Sequence, residues 1–147
     1  MYGKAIVMAV LIAAMSTVGS AGSADNSTNA SFFEGTWTGA WQGMHTSSGQ
    51  EITITIGPRN QKGYNKTTYT YGWGKSGTGG DIPPGSFAVY GRERDGVFGF
   101  WWKDREGTKR IVTMEKNTEG GVKGKLEREG PATTSQRPFY EGIFKRK

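Results

Sequence analysis

From Ser31 onward, apolar residues recur at every second position in short runs, and nowhere hold helical spacing long enough to make a helix. Glycine interrupts nearly every such run, and inside a helix each one would cost about 1 kcal/mol. A chain patterned this way is expected to fold as short strands joined by tight links. Composition narrows the choice further. With 147 residues, 34% hydrophobic and 12% aromatic, the chain suits one domain with a ring-rich core rather than a disordered tail. Leucine occurs only at Leu11 and Leu126, too sparse for a helical bundle or coiled coil. The absence of cysteine excludes a disulfide framework, a thiolate metal site and a thiol nucleophile.

Eight alternating runs follow one another. The first, Phe33 to Gln42, puts Trp37, Gly39 and Trp41 on one face. In the second, Ile52, Ile54 and Ile56 oppose Glu51, Thr53 and Thr55. The third, Lys66 to Gly74, aligns Tyr69, Tyr71 and Trp73; the fourth is Ser86 to Arg92. Arg94-Asp95-Gly96 then carries an Asp-Gly pair, the sequence mark of a type I′ hairpin whose two central residues need positive φ. In the fifth run, Val97 to Lys103, both faces carry bulky rings, Trp101 on one and Phe98, Phe100 and Trp102 on the other. The sixth is Lys109 to Lys116, the seventh begins at Val122, and the eighth is Pro138 to Arg146, with Tyr140, Gly142 and Phe144 alternating with Phe139, Glu141 and Ile143.

Most links are short enough for hairpins, so neighbours in sequence should be neighbours in space. A meander of eight strands has two edges to hide, and pairing the first strand with the last hides both. The predicted fold is therefore all-β, an eight-stranded antiparallel up-and-down barrel, preferred to a two-sheet sandwich. Gly39, Gly99, Gly124 and Gly142 are expected to face inward and make room for rings. On the last strand the same register places Glu141 in solvent; the opposite register would bury it.

The chain opens with Lys4, an apolar run from Ala5 to Met15, and small residues through Ala21. That is the pattern of an export signal, with cleavage after Ala21 or Ala24. The predicted organisation is a signal peptide over 1–24, a flexible segment over 25–31 and the barrel domain over 32–147. The expected location is periplasmic or secreted, with no stable membrane insertion once the leader is removed. Sequons at Asn26, Asn29 and Asn65 matter only in a host that glycosylates them.

At Gly35-Thr36-Trp37, on the first strand of an eight-strand meander, the chain resembles the calycin superfamily of lipocalins, fatty-acid-binding proteins and avidins. That resemblance implies that the Trp37 indole packs across the barrel base with a basic residue of the last strand lying on it, here Lys145 or Arg146. Phe100-Trp101-Trp102-Lys103 is similar to the tryptophan-bearing middle strand of avidins. Thr38, Gly39, Ala40, Trp41 and Gln42 depart from the avidin ligand site, so biotin binding is not implied. The Gly35, Trp37, Gly39, Trp41 pattern is also similar to that of secreted proteobacterial proteins, a likeness that implies no activity.

Little in the chain points to catalysis. His45 is the single histidine and sits in a predicted loop, Gly43 to Gly49. No acidic or histidine cluster has metal-ligand spacing, and the glycine-rich stretch around Gly72 to Gly80 runs into Asp81-Ile82-Pro83-Pro84 rather than the Lys-Ser/Thr of a phosphate loop. That stretch reads as a lid-like loop. Glu34, Glu51 and Glu141 are the carboxylates whose positions could supply a glycosidase pair. The basic residues Arg92, Arg94, Lys103, Arg105, Lys109 and Arg110 alternate with acids, the pattern of a salt-bridged rim rather than a nucleic-acid face. A net charge of +6 would draw anionic partners.

The aromatic set Trp37, Trp41, Tyr69, Tyr71, Trp73, Phe100 and Trp102 reads both as core filling and as the lining of a ligand site. The expected function is a non-enzymatic binding protein for a small apolar or amphipathic molecule, with no cofactor. The alternative is a surface module that binds polysaccharide or anionic envelope material through rings and Lys/Arg. The two differ in whether the rings face the interior or the outer wall.

Overall fold

A computed structural model describes residues 30–42, 50–75, 79–129 and 139–147. The expected leader, Asn26, Asn29 and His45 lie outside the described residues. The described residues form ten strands: β1 (Gly35–Gly39), β2 (Ile52–Arg59), β3 (Asn65–Tyr71), β4 (Gly74–Lys75), β5 (Asp81–Ile82), β6 (Gly85–Arg94), β7 (Val97–Lys103), β8 (Lys109–Lys116), β9 (Val122–Arg128) and β10 (Phe139–Arg146). Eight of them close a barrel in the order β1-β10-β9-β8-β7-β6-β3-β2, every pair antiparallel. The up-and-down barrel read from alternation is the fold, and β1 does meet β10, with Trp37 opposite Arg146 and Gly39 opposite Phe144.

The strand turns are those the sequence calls for. Asp95 and Gly96 have φ of 52° and 78°, so the β6–β7 link is the tight hairpin expected of Asp-Gly. The β2–β3, β6–β7 and β8–β9 links and the Ser31–Glu34 segment lie at one end of the barrel, the base. The β1–β2, β3–β6, β7–β8 and β9–β10 links lie at the other, the mouth.

Alternation sends Trp37, Ile52, Ile54, Ile56, Tyr69, Phe98, Phe100, Val112, Met114, Val122 and Phe144 into one buried core. Three inward glycines fit these rings. A Cβ on Gly39 or Gly142 would strike the backbone of the adjacent strand segment, and one on Gly124 would stand 2.7 Å from the Phe144 ring. Gly99 does not belong with them. Phe98 and Phe100 take the inward positions of β7, so Gly99 lies on the outer face, and the glycine that yields to Phe98 is Gly91 on β6.

The base is sealed as the calycin resemblance implies. The Arg146 guanidinium lies 4.4 Å from the Trp37 ring centroid, and Arg146 also donates to the carbonyls of Glu34 and Phe32 at 2.6 and 2.7 Å. Trp37 Nε1 donates to Phe33 O at 2.8 Å, so the fully buried indole leaves no polar atom unpaired. The eight-stranded closed barrel is consistent with a calycin-like fold.

Three further differences from the sequence reading have local causes. The third run ends at Tyr71, because Gly72 leaves the β3–β6 ladder, its N–H donating to Glu51 O at 2.9 Å. The lid-like loop contains the small β4–β5 ladder, too short to leave a periodic trace. Asn65 is fully buried, its Nδ2 donating to Gly57 O at 2.7 Å, so the folded barrel has no room for a glycan there. The wall is not stitched evenly. β6 and β7 pair only over Arg92–Arg94 and Val97–Gly99, whereas β3–β6 and β7–β8 each run the length of the shorter strand.

Candidate functional site

The inward faces of β3, β6 and β7 converge toward the mouth on one ring network. Tyr69 lies 5.3 Å from Phe87, 5.1 Å from Trp102, 6.2 Å from Phe100 and 6.4 Å from Tyr71, centroid to centroid. Phe87 and Trp102 close the triangle at 5.0 Å. Such pairs each add about 0.5–1.5 kcal/mol beyond their burial. Burial divides the network by depth. Tyr69, Phe100 and Trp41 are buried, while Tyr71, Phe87, Trp102 and Tyr140 are only partly covered. The cluster therefore has a filled floor and a half-open upper layer.

One polar interaction is set into the floor. Trp41 Nε1 donates to the Tyr69 hydroxyl oxygen at 2.7 Å. Burial pushes the Tyr69 phenol up to about 12, since desolvation outweighs the opposing effects of the Trp41 hydrogen bond and of Arg110. The phenol stays protonated throughout the neutral range.

Two arginines share the inner faces of the neighbouring strands at this end. Arg110 continues the inward series of Val112 and Met114 on β8, and it stands in register with Arg128 on β9. The β7–β8 turn supplies their counter-charges: Arg110 Nε donates to Asp104 Oδ2 at 3.1 Å, and Arg128 Nη2 donates to Glu106 Oε2 and Thr108 Oγ1 at 3.2 Å. For the Asp104 carboxyl, desolvation acts to raise the pKa, but hydrogen bonds from the Thr108 amide, Arg110 and the Glu106 amide prevail and hold it below its usual value. Asp104 is thus charged at neutral pH.

Of the seven residues singled out by sequence, Tyr69, Tyr71, Phe100 and Trp102 share this network, and Trp41 joins it through the Tyr69 hydrogen bond. Trp37 is not part of it: it sits at the base under Arg146. Trp73 is 68% exposed, outside the set, because the alternation that would have carried it inward stops at Tyr71. Phe87, Tyr140 and Arg110 were missed. Alternation of Phe87 with Val89 carried the signal for the first, whereas Arg110 was absorbed into the expected rim.

The outer wall has its own rings, Trp101 at 51% and Tyr90 at 63% exposure, with Lys109 Nζ 4.8 Å from the Trp101 ring centroid. Glu141 is also outside, paired with Lys123 at 3.3 Å across β9 and β10. The three carboxylates considered for glycoside chemistry are dispersed, with Glu34 before β1 at the base, Glu51 before β2 at the mouth and Glu141 on the wall. Among the described residues, no cluster of three His, Asp or Glu side chains could hold a metal ion. Comparison of the chain with protein-family models, with curated proteins and with solved structures finds no match.

Proposed function

We propose that this is an exported, non-enzymatic binding protein that holds a small apolar or amphipathic molecule at the mouth of the barrel. The observation that carries the reading is the half-covered layer of Tyr71, Phe87, Trp102 and Tyr140 over a packed floor. A monomeric barrel has no structural need to leave four inward rings partly wet, and apolar surface flanked by a few polar groups is what a small-molecule site offers. The guest lies across the ring layer rather than deep in the barrel, since Trp37, Phe98, Met114 and Phe144 are fully buried below it. Arg110 and Arg128 favour a guest with an acidic group, which would compete with Asp104 and Glu106 for the guanidiniums.

Native mass spectrometry of protein purified from its own host tests the reading, together with displacement of anilinonaphthalene sulfonate by laurate. We expect a retained guest, or laurate displacement that Trp102→Ala weakens by about tenfold. The reading is wrong if no guest is retained and the dye and laurate bind neither the native protein nor its delipidated form.

A further inference from the structure

A second ring-bearing surface lies on the outer wall, away from the mouth. The β2–β3 turn is built around Asn60, whose Oδ1 accepts from the amides of Lys62 and Tyr64, both at 3.0 Å. Asn60 N donates to Tyr64 O at 2.7 Å, and Gly63 takes the positive φ of 84° that closes the turn. This fixes Tyr64 at the entry to β3, 38% exposed. In the β3–β6 ladder, Lys66 stands opposite Tyr90 and Asn65 opposite Gly91, so the next outward pair is Tyr64 with Arg92. The Arg92 guanidinium lies 5.5 Å from the Tyr64 ring centroid. Asn60, Gln61, Lys62, Tyr64 and Tyr90 line an open concavity of about 680 Å³.

The chemistry of that lining is specific. Tyr90, 63% exposed, and Tyr64, 38% exposed with Arg92 over one face, offer flat apolar platforms. Asn60 and Gln61 bring amides and Lys62 a positive charge, and two more cations stand beside the lining on the outer face, Lys66 opposite Tyr90 and Arg92 over the Tyr64 ring. No carboxylate lines the concavity, and the acid on the same strand, Glu93, is held by Arg59 and Ser31. A compact apolar guest would remain largely in water in so open a site. A single nucleic-acid strand calls for successive rings along a groove. A sugar chain bearing carboxylates satisfies every group: its C–H faces meet the rings, its hydroxyls meet the amides and its acid groups meet the cations.

We propose that this concavity binds a segment of acidic polysaccharide, independently of the mouth. Titration of the full chain with a short alginate oligosaccharide at low salt tests it, followed by calorimetry and by backbone amide shifts. Shifts should map to Asn60–Lys66 and Tyr90–Arg92, and affinity should fall steeply as salt rises. Tyr90→Ala and Arg92→Gln should each weaken binding by about tenfold, with Tyr90→Phe retaining most of it and Trp102→Ala leaving it unchanged. Both wall positions, Tyr90 and Arg92, are exposed strand residues, and circular dichroism of each variant confirms the barrel. The proposal is overturned by no binding at low salt or by affinity that Tyr90→Ala and Arg92→Gln leave intact. Tighter binding of single-stranded DNA or of phosphatidylglycerol vesicles than of the oligosaccharide would equally reject it.

Discussion

A phenol surrounded by rings gives up its hydration, and at Tyr69 a single indole N–H is the replacement. Because the folded barrel keeps the phenolic proton more tightly than the unfolded chain does, this residue's contribution is complete below pH 10 and vanishes as pH climbs toward about 12. Alkaline difference spectra should therefore show a tyrosine step near pH 12, and Tyr69→Phe should abolish that step. The same substitution strands the Trp41 donor, at a cost of about 1–3 kcal/mol in denaturant unfolding. Sequence showed that Tyr69 points inward, because its strand alternates cleanly. It did not show the partner, since Trp41 lies beyond the end of β1 and reaches Tyr69 on β3 across the interior, with β2 between the two strands in the wall.

At the scale of elements, legibility depended on how different the two faces of each run were. β2 was transparent because isoleucine alternates with threonine from Ile52 to Ile56. β7 was ambiguous because rings occupy both faces, and its register is decided by what lies across from it: Gly91 yields to Phe98 and Val112 packs beside Phe100. Glycines became interpretable only with partners in view, since the same residue type serves a hairpin at Gly96, a ring contact at Gly124 and an outward position at Gly99. Gly124→Val should therefore destabilise the barrel by about 1–3 kcal/mol by forcing the Phe144 and Trp41 rings apart, measured as a lower denaturant midpoint. At Gly99 an added Cβ would meet nothing closer than Val112 O at 3.7 Å, so Gly99→Ala is the mild control.

For the whole molecule, closure rests on the meeting of β1 with β10, a ladder of three residue pairs reinforced by the Gln42–Glu141 bridge and by Arg146 at the base. Removing that arginine should cost about 2 kcal/mol in Arg146→Ala, through lost charge-assisted hydrogen bonds. The loss should appear together with faster amide exchange along β1 and β10 and unchanged exchange in β8 and β9. The closed barrel was legible because a repeated alternation of eight runs leaves few ways to hide two edges. The mouth was less so, because its arginines look on paper like any solvated turn.

The uneven wall described for β6 and β7 bears on traffic rather than on shape. Phe87 to Tyr90 and Phe100 to Lys103 lack mutual ladder pairing, and there the Phe87 and Trp102 rings, 5.0 Å apart, make the contact between the strands. Local separation along that seam breaks ring contacts rather than ladder hydrogen bonds. For the guest proposed at the mouth, that seam would be a lateral approach to the rings that leaves the Arg146 seal at the base intact.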